Sequence, residues 1–356
     1  MPASPSTWCS EVFLAVLAAC SPADLAPPQD PVGTPSTPPT TDTAPPTPTS
    51  SPSTTPTDDP TATYDCADLP ATGTFLGSLD DVPTFEDFTF SADGFLWGIT
   101  LYEGALVRVP YGGPPELLRA GMSDYARGTR FLPGGDLVSV DYPNNALVRI
   151  DQKTYGTTVL NATLTSPNGI AIGDDGFVYL TQHTGLVRRI DPETGEGPIL
   201  FESPVSNDGI SFSPDYRTLY LDSDFGGEFL SVGVDGQGGL TTPLTLAATL
   251  ASGADGMAVD ACGNAYVTQF TPPSIARVRT DGTVETFLSL PADLLPVAVN
   301  FGTGVGGWER DHLFVSDWAG EFLEFDAGVV GKWEPHLPES AAPAGCAGPL
   351  PGAPGA

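Results

Sequence analysis

Positive charge is scarce in this sequence. Lysine occurs only as Lys153 and Lys332, and 13 basic residues stand against 44 acidic ones, for a formal charge of -31 over 356 residues. Gripping a phosphate backbone needs clustered Lys and Arg, so nucleic acid is excluded as a partner, and anionic lipid surfaces with it. Histidine is limited to His183, His312 and His336. None has a metal-ligand spacing, each is expected in a surface or loop position, and no Ser-His-Asp arrangement can be argued from them. Apolar runs long enough to cross a bilayer are missing: residues 12–20, VFLAVLAAC, fall far short of the roughly 20 residues a spanning helix needs. No long stretch follows a 3.6-residue period, which leaves helices little place in the fold.

The short apolar run reads as the core of a secretory signal over residues 1–19. Its end, Leu17-Ala18-Ala19-Cys20, resembles the bacterial lipobox, which implies cleavage before Cys20 and acylation of that cysteine. Residues 21–63 then hold 13 Pro, 12 Thr and 5 Ser, with only Leu25 and Val32 as larger apolar side chains. Such a segment cannot bury enough apolar surface to offset its ordering entropy, so 20–65 reads as an extended spacer between anchor and domain. The expected location is the bacterial cell envelope, outer membrane or cell surface, with the membrane reached only through the lipid; if the signal is instead an ordinary cleaved one, a periplasmic or secreted protein is expected. The Ala/Pro/Gly-rich stretch 338–356 reads as a loose tail, which leaves 66–337 as one folded domain, expected to be monomeric.

Three cysteines remain beyond Cys9 and Cys20: Cys66, Cys262 and Cys346. In an oxidising compartment two of them are expected to pair. A Cys66–Cys346 bridge would tie the ends of the domain together, and Cys262–Cys346 is the main rival; spacing does not choose.

Inside 66–337 one pattern recurs six times: a polar residue or two, an apolar strand, a tight polar turn, a second strand and a third. The units begin near Glu86, Thr129, Asn168, Asp208, Asp255 and Thr303, at spacings of 43, 39, 40, 47 and 48. Their third strands are ALVRV, ALVRI, LVRRI, FLSVGV, IARVR and FLEFD. Alternation at period two with Gly and Asp turns signals β-structure, and a multi-stranded repeat of this length signals an all-β, six-bladed β-propeller. The early strand GTFLGSL, residues 73–79, is expected to complete the last blade. Trp97, Trp308 and Trp318 are expected to pack between blades.

In a propeller the starts of the first strands converge on one mouth of the central channel. Glu86, Asn168, Asp208 and Asp255, up to 169 positions apart, are therefore expected to face one another. Three carboxylates and an amide form a hard-oxygen donor set that suits Ca²⁺, with Mg²⁺ or Mn²⁺ possible if more water is retained. For any one of these residues a simple Asn-Gly or Asp-Gly turn is the blander explanation; the recurrence at one repeat position argues for the set.

The repeat layout over roughly 80–330, together with Ala254-Asp255-Gly256-Met257 followed by Asp260 and Gly263-Asn264, resembles the senescence-marker-protein/gluconolactonase/luciferin-regenerating-enzyme family. That resemblance implies Glu86, Asn168, Asp208 and Asp255 as metal ligands, Asp255 as a general base, and Asn168 as a substrate-orienting donor in lactone hydrolysis. Two departures stand out. The family's Gly-Pro after the first-blade Glu is Asp87-Phe88 here, and its fourth-blade Asn is Asp208 unless Asn207 takes that role. The expected function is an exported, lipid-anchored, divalent-metal-binding propeller acting on a small lactone or sugar-derived ligand. The alternative is a non-catalytic cell-surface propeller serving as a binding scaffold.

Overall fold

The computed structural model describes residues 65–338. The expectations for the signal, the lipobox, Cys20, the spacer up to residue 64, the tail beyond 338 and Cys346 lie outside them. The described residues form six four-stranded antiparallel sheets. Five blades each use four consecutive strands, spanning residues 85–119, 126–161, 167–202, 207–249 and 254–289. The sixth is built from Pro296–Phe301, His312–Asp317 and Phe322–Asp326, and its outer strand is Thr74–Ser78 from the start of the domain, in the order expected from GTFLGSL. The last blade thus joins both ends of the fold and no blade is left with three strands.

The inner strands Phe85–Phe90, Ala126–Phe131, Pro167–Ile172, Asn207–Phe212, Ala254–Val259 and Pro296–Phe301 contact one another in a closed ring. Each leads into its partner through a tight turn containing a residue with positive φ: Gly94, Gly135, Gly176, Tyr216 and Gly263 in blades one to five. Glycine adopts this conformation without a Cβ penalty. Blade four places Tyr216 there, and its buried ring and hydroxyl, bonded to the Trp333 carbonyl at 2.7 Å, hold the turn.

The core lies in the wedges between blades, where large aromatics meet edge to face. Trp97 packs on Phe131 between blades one and two, Tyr179 on Phe212 between three and four, and Tyr266 on Phe301 between five and six. Trp308 and Phe314 close the wedge between six and one against Phe90. Trp97 and Trp308 therefore pack as expected. Trp318 does not; it stands at the channel mouth.

Three further expectations are corrected. The bridge forms between Cys66 and Cys262, not Cys66 and Cys346, because the chain just before the first strand runs along blade five, where Gly73 also donates to the Phe287 carbonyl. Blade six begins at Pro296 and not near Thr303, which follows the inner strand. The third concerns His312, which opens the second strand of blade six and meets Glu324 at 2.7 Å; His183 and His336 lie in turns, as expected, His336 half-buried with its ring 5.2 Å from Phe131.

The segment Gly331–Leu337 crosses the channel at the far ends of the inner strands. Lys332 N donates to the Val259 carbonyl in blade five, and the Lys332 ammonium reaches the Tyr216 hydroxyl in blade four. His336 Nε2 donates to the Phe90 carbonyl in blade one. Residues of all six inner strands and this segment enclose a small cavity of about 60 Å³.

Candidate metal centre

At the opposite end, every inner strand begins with an irregularity in its pairing. In blade three Pro167 pairs with Gln182 but Ile170 with Leu180, so two residues face one; blades one, two, four and five repeat this. A bulge re-aims a side chain away from the regular alternation. The re-aimed positions are Glu86, Arg127, Asn168, Asp208 and Asp255, with Val297 in blade six. Glu86, Asn168, Asp208 and Asp255 line one cavity of about 30 Å³ bounded by all six inner strands. The four residues singled out from sequence are thus brought together.

The glycines after these residues do not make turns; they lie within strands. A Cβ on Gly169 would stand 2.4 Å from the Asp208 carbonyl oxygen, and one on Gly209 2.4 Å from that of Asp255. Gly128 likewise approaches the Asn168 carbonyl at 2.7 Å and Gly256 that of Val297 at 2.6 Å. Each glycine lets the next blade's site residue come close, so the Asn-Gly and Asp-Gly pairs set the spacing of the ring. In blade one Asp87 replaces the glycine and accepts instead from Thr129 N at 2.9 Å and the Arg130 guanidinium at 2.5 Å.

A second tier stands just beyond the ends of the second strands. His183, Asp224 and Trp318 occupy matching places in blades three, four and six, their amides donating to Ser166, Ser206 and Leu295 carbonyls. Trp318 Nε1 donates to Glu86 Oε2. His183 Nε2 lies 2.5 Å from the Asn168 amide nitrogen and 3.6 Å from Asp208 Oδ2, while its Nδ1 lies 3.9 Å from Asp224 Oδ2. One ligand atom from each of His183, Asp208 and Asp224 falls within 4.8 Å of the others.

Arg127 enters from blade two. Its guanidinium is 3.0 Å from Glu86 Oε1, and it stacks over the Tyr142 ring at 4.3 Å. The Glu86 contact is an ion pair without hydrogen-bond alignment, since that oxygen has no hydrogen-bond partner among the described residues. Asp222, buried below the tier, accepts from Gly209 N through Oδ1 at 2.8 Å, and its Oδ2 has no partner among them.

Five carboxylates, those of Glu86, Asp208, Asp222, Asp224 and Asp255, therefore crowd around one guanidinium and one imidazole. Burial pushes Glu86 above the usual carboxylate range, although Arg127 and Trp318 pull it back. Burial, then Asp208 and Glu86, hold Asp255 well above it. Asp222 is raised by burial and Asp208, and Asp224 is pushed up to about 7 by the same two causes. Burial alone would lower the Arg127 guanidinium, but Glu86, Asp208 and Asp255 more than reverse it. Buried charge of one sign in such excess is costly without a counter-charge. The unpartnered oxygens and the oxygen-rich donor set fit a divalent cation, held by Asn168, Asp208 and Asp255, and by Glu86 to the extent that Arg127 yields it.

Sequence reasoning passed over Arg127, His183, Asp222, Asp224 and Trp318. Arg127 had a signal, because Ala126-Arg127-Gly128 repeats the polar-Gly pattern of the neighbouring blades. The second tier has no short motif of its own.

No curated protein sequence matches this chain. Solved structures do share its fold. A gluconolactonase from Xanthomonas campestris superposes with a TM-score of 0.61 at 16% identity, covering 71% of this chain and 94% of that one. The calcium-binding protein regucalcin from Agrobacterium tumefaciens gives 0.62 at 20%, covering 76% and 100%. A luciferin-regenerating enzyme gives 0.60 at 13%, covering 73% and 98%. The chain is a six-bladed propeller whose residues 181–317, which include His183, Asp208, Asp224 and Asp255, match the SMP-30/Gluconolactonase/LRE-like region family.

Proposed function

We propose that this propeller binds a divalent cation at the channel mouth and hydrolyses a small lactone or sugar-derived ester there. The observation that carries the reading is the gathering of Glu86, Asn168, Asp208 and Asp255 around one axial cavity. A bound cation would polarise a lactone carbonyl and stabilise the oxyanion. Asp255, its proton affinity raised by burial and by Asp208 and Glu86, is placed to take a proton from an attacking water. Asn168 offers an amide to orient the substrate, and His183 beside it fixes that amide. Export and tethering through Cys20 complete the proposal; replacing Cys20 with Ser should release the protein from membranes and abolish incorporation of a labelled fatty acid.

Thermal melting with and without chelator tests the cation. A ligand bound only by the native state, at a hundredfold excess over its dissociation constant, adds about 2.7 kcal/mol, and Ca²⁺ or another divalent ion should restore what chelation removes. An unchanged melting curve would sink both metal and hydrolase. A lactone panel then tests catalysis: Asp255→Asn should lower kcat by roughly 10²–10⁴-fold, as expected for loss of a general base. Activity surviving that change removes Asp255 from the role.

One feature favours the second reading, a non-catalytic surface propeller. Arg127 already pairs with Glu86 at 3.0 Å, and a fixed guanidinium among the axial carboxylates competes with a cation for them. Metal binding without hydrolysis of any lactone in the panel is the outcome that supports the scaffold.

A further inference from the structure

We infer that the ion sits off the axis, between blades three and four, on His183, Asp208 and Asp224 with Asn168 beside them, and that it is a first-row transition-metal ion and not Ca²⁺. The inference rests on the metal-binding reading above and changes its ligands and its metal.

Two observations carry it. First, Arg127 meets the axial demand for positive charge. Its guanidinium touches Glu86, and Trp318 Nε1 caps the other Glu86 oxygen, so Glu86 is engaged twice from within the protein. Asp208 has His183 Nε2 3.6 Å off, and a second carboxylate, Asp224, approaches the same ring. Second, His183, Asp208 and Asp224 already offer three ligand atoms within 4.8 Å, two of them on buried residues, with Asn168 Nδ2 or its oxygen 2.5 Å from the imidazole. The Asn168 amide can turn to present either atom. Asp222 completes the charge argument independently. It is fully buried, and its Oδ2 has no hydrogen-bond partner among the described residues. An added cation would balance the charge that Arg127 and His183 leave on that group of carboxylates.

The donor chemistry selects the metal. Ca²⁺ takes six to eight oxygens and has no use for an imidazole, whereas imidazole with carboxylates suits Zn²⁺, Co²⁺ and Mn²⁺. His183 and Asp224 come from matching positions of adjacent blades, each pinned by an amide to a carbonyl of its own blade, so the two ligands are held by rigid strand ends.

The test is titration of the full chain, stripped with chelator, with Co²⁺, Zn²⁺ and Ca²⁺ separately, followed by Co²⁺ absorption and calorimetry. The expected result is that Co²⁺ and Zn²⁺ bind at least tenfold more tightly than Ca²⁺, and that His183→Ala and Asp224→Asn each weaken Co²⁺ by about 10–100-fold or more and change its visible spectrum. Glu86→Gln should leave Co²⁺ affinity within about threefold, a figure set by the ion-pair role given to Glu86. Far-ultraviolet circular dichroism and the urea midpoint verify that each variant folds, and Asp224→Asn, isosteric with the original, serves should His183→Ala unfold. Ca²⁺ binding more tightly than Co²⁺, indifferent to His183 and lost in Glu86→Gln, would overturn this inference and leave the axial metal-binding reading intact. Failure of all three ions to bind would overturn both.

Discussion

The glycine that follows each site residue is the smallest group with a large structural job. Gly209 has ordinary strand geometry, yet a Cβ there would stand 2.4 Å from the Asp255 carbonyl and 2.5 Å from Asp222 Oδ2. Gly209→Ala should therefore push blade five outward and destabilise the fold by about 1–3 kcal/mol, the usual cost of overpacking. Gly134→Ala, where a Cβ meets nothing within 4 Å, is the control and should change the urea midpoint little. His336 provides a test of another kind. Burial lowers its proton affinity below the ordinary value of 6.5, and Lys332 and Arg130 lower it further, while Glu334 and the Phe90 carbonyl work against them. A base whose folded pKa lies below its unfolded one favours folding fully above pH 6.5, and that contribution is lost as pH falls below it. His336→Gln should flatten the stability profile below pH 6.5 relative to wild type, by at most about 1.4 kcal/mol per pH unit, measured by urea unfolding at several pH values. At this scale the first tier of the site was legible, since Asn168, Asp208 and Asp255 each precede a glycine at one repeat position. Arg127 was missed because blade two was begun two residues late, at Thr129. His183 and Asp224 were hidden because their partners are brought near only by the ring, not by spacing in the chain.

Among the elements, the third strands and the hairpin turns could be read directly, because alternation and positive-φ glycines are local signals. Blade six resisted for a physical reason. Its inner strand, Pro296–Phe301, carries Val297 where other blades carry a polar residue, so nothing marked its start. The disulfide resisted too, because pairing depends on where the chain before the first strand lies. Cys66 and Cys262 are 196 residues apart, and closing so long a loop removes much entropy from the unfolded chain. Cys66→Ser should cost about 2–5 kcal/mol, seen as a lower urea midpoint that added reductant does not lower further, whereas reductant should lower the wild-type midpoint to the same value.

On the scale of the whole molecule, the ring explains both the acidity and the site. A chain with a formal charge of -31 repels itself when compact, and salt relieves that repulsion by shrinking the screening length from about 30 Å at 0.01 M to about 3 Å at 1 M. The thermal midpoint should accordingly rise with NaCl; a fall would mean that internal ion pairs such as Arg130–Asp87 outweigh the net charge. The ring was legible from the repeat, but what closes it at the far side was not. The chain from Gly331 to Leu337, with Lys332, Glu334 and His336 turned into the cavity there, makes the pore a cup with a stopper in its base. Among the described residues the carboxylates are then reached from the opposite mouth, so arrival and departure share it, and a molecule leaving must step aside before the next can enter.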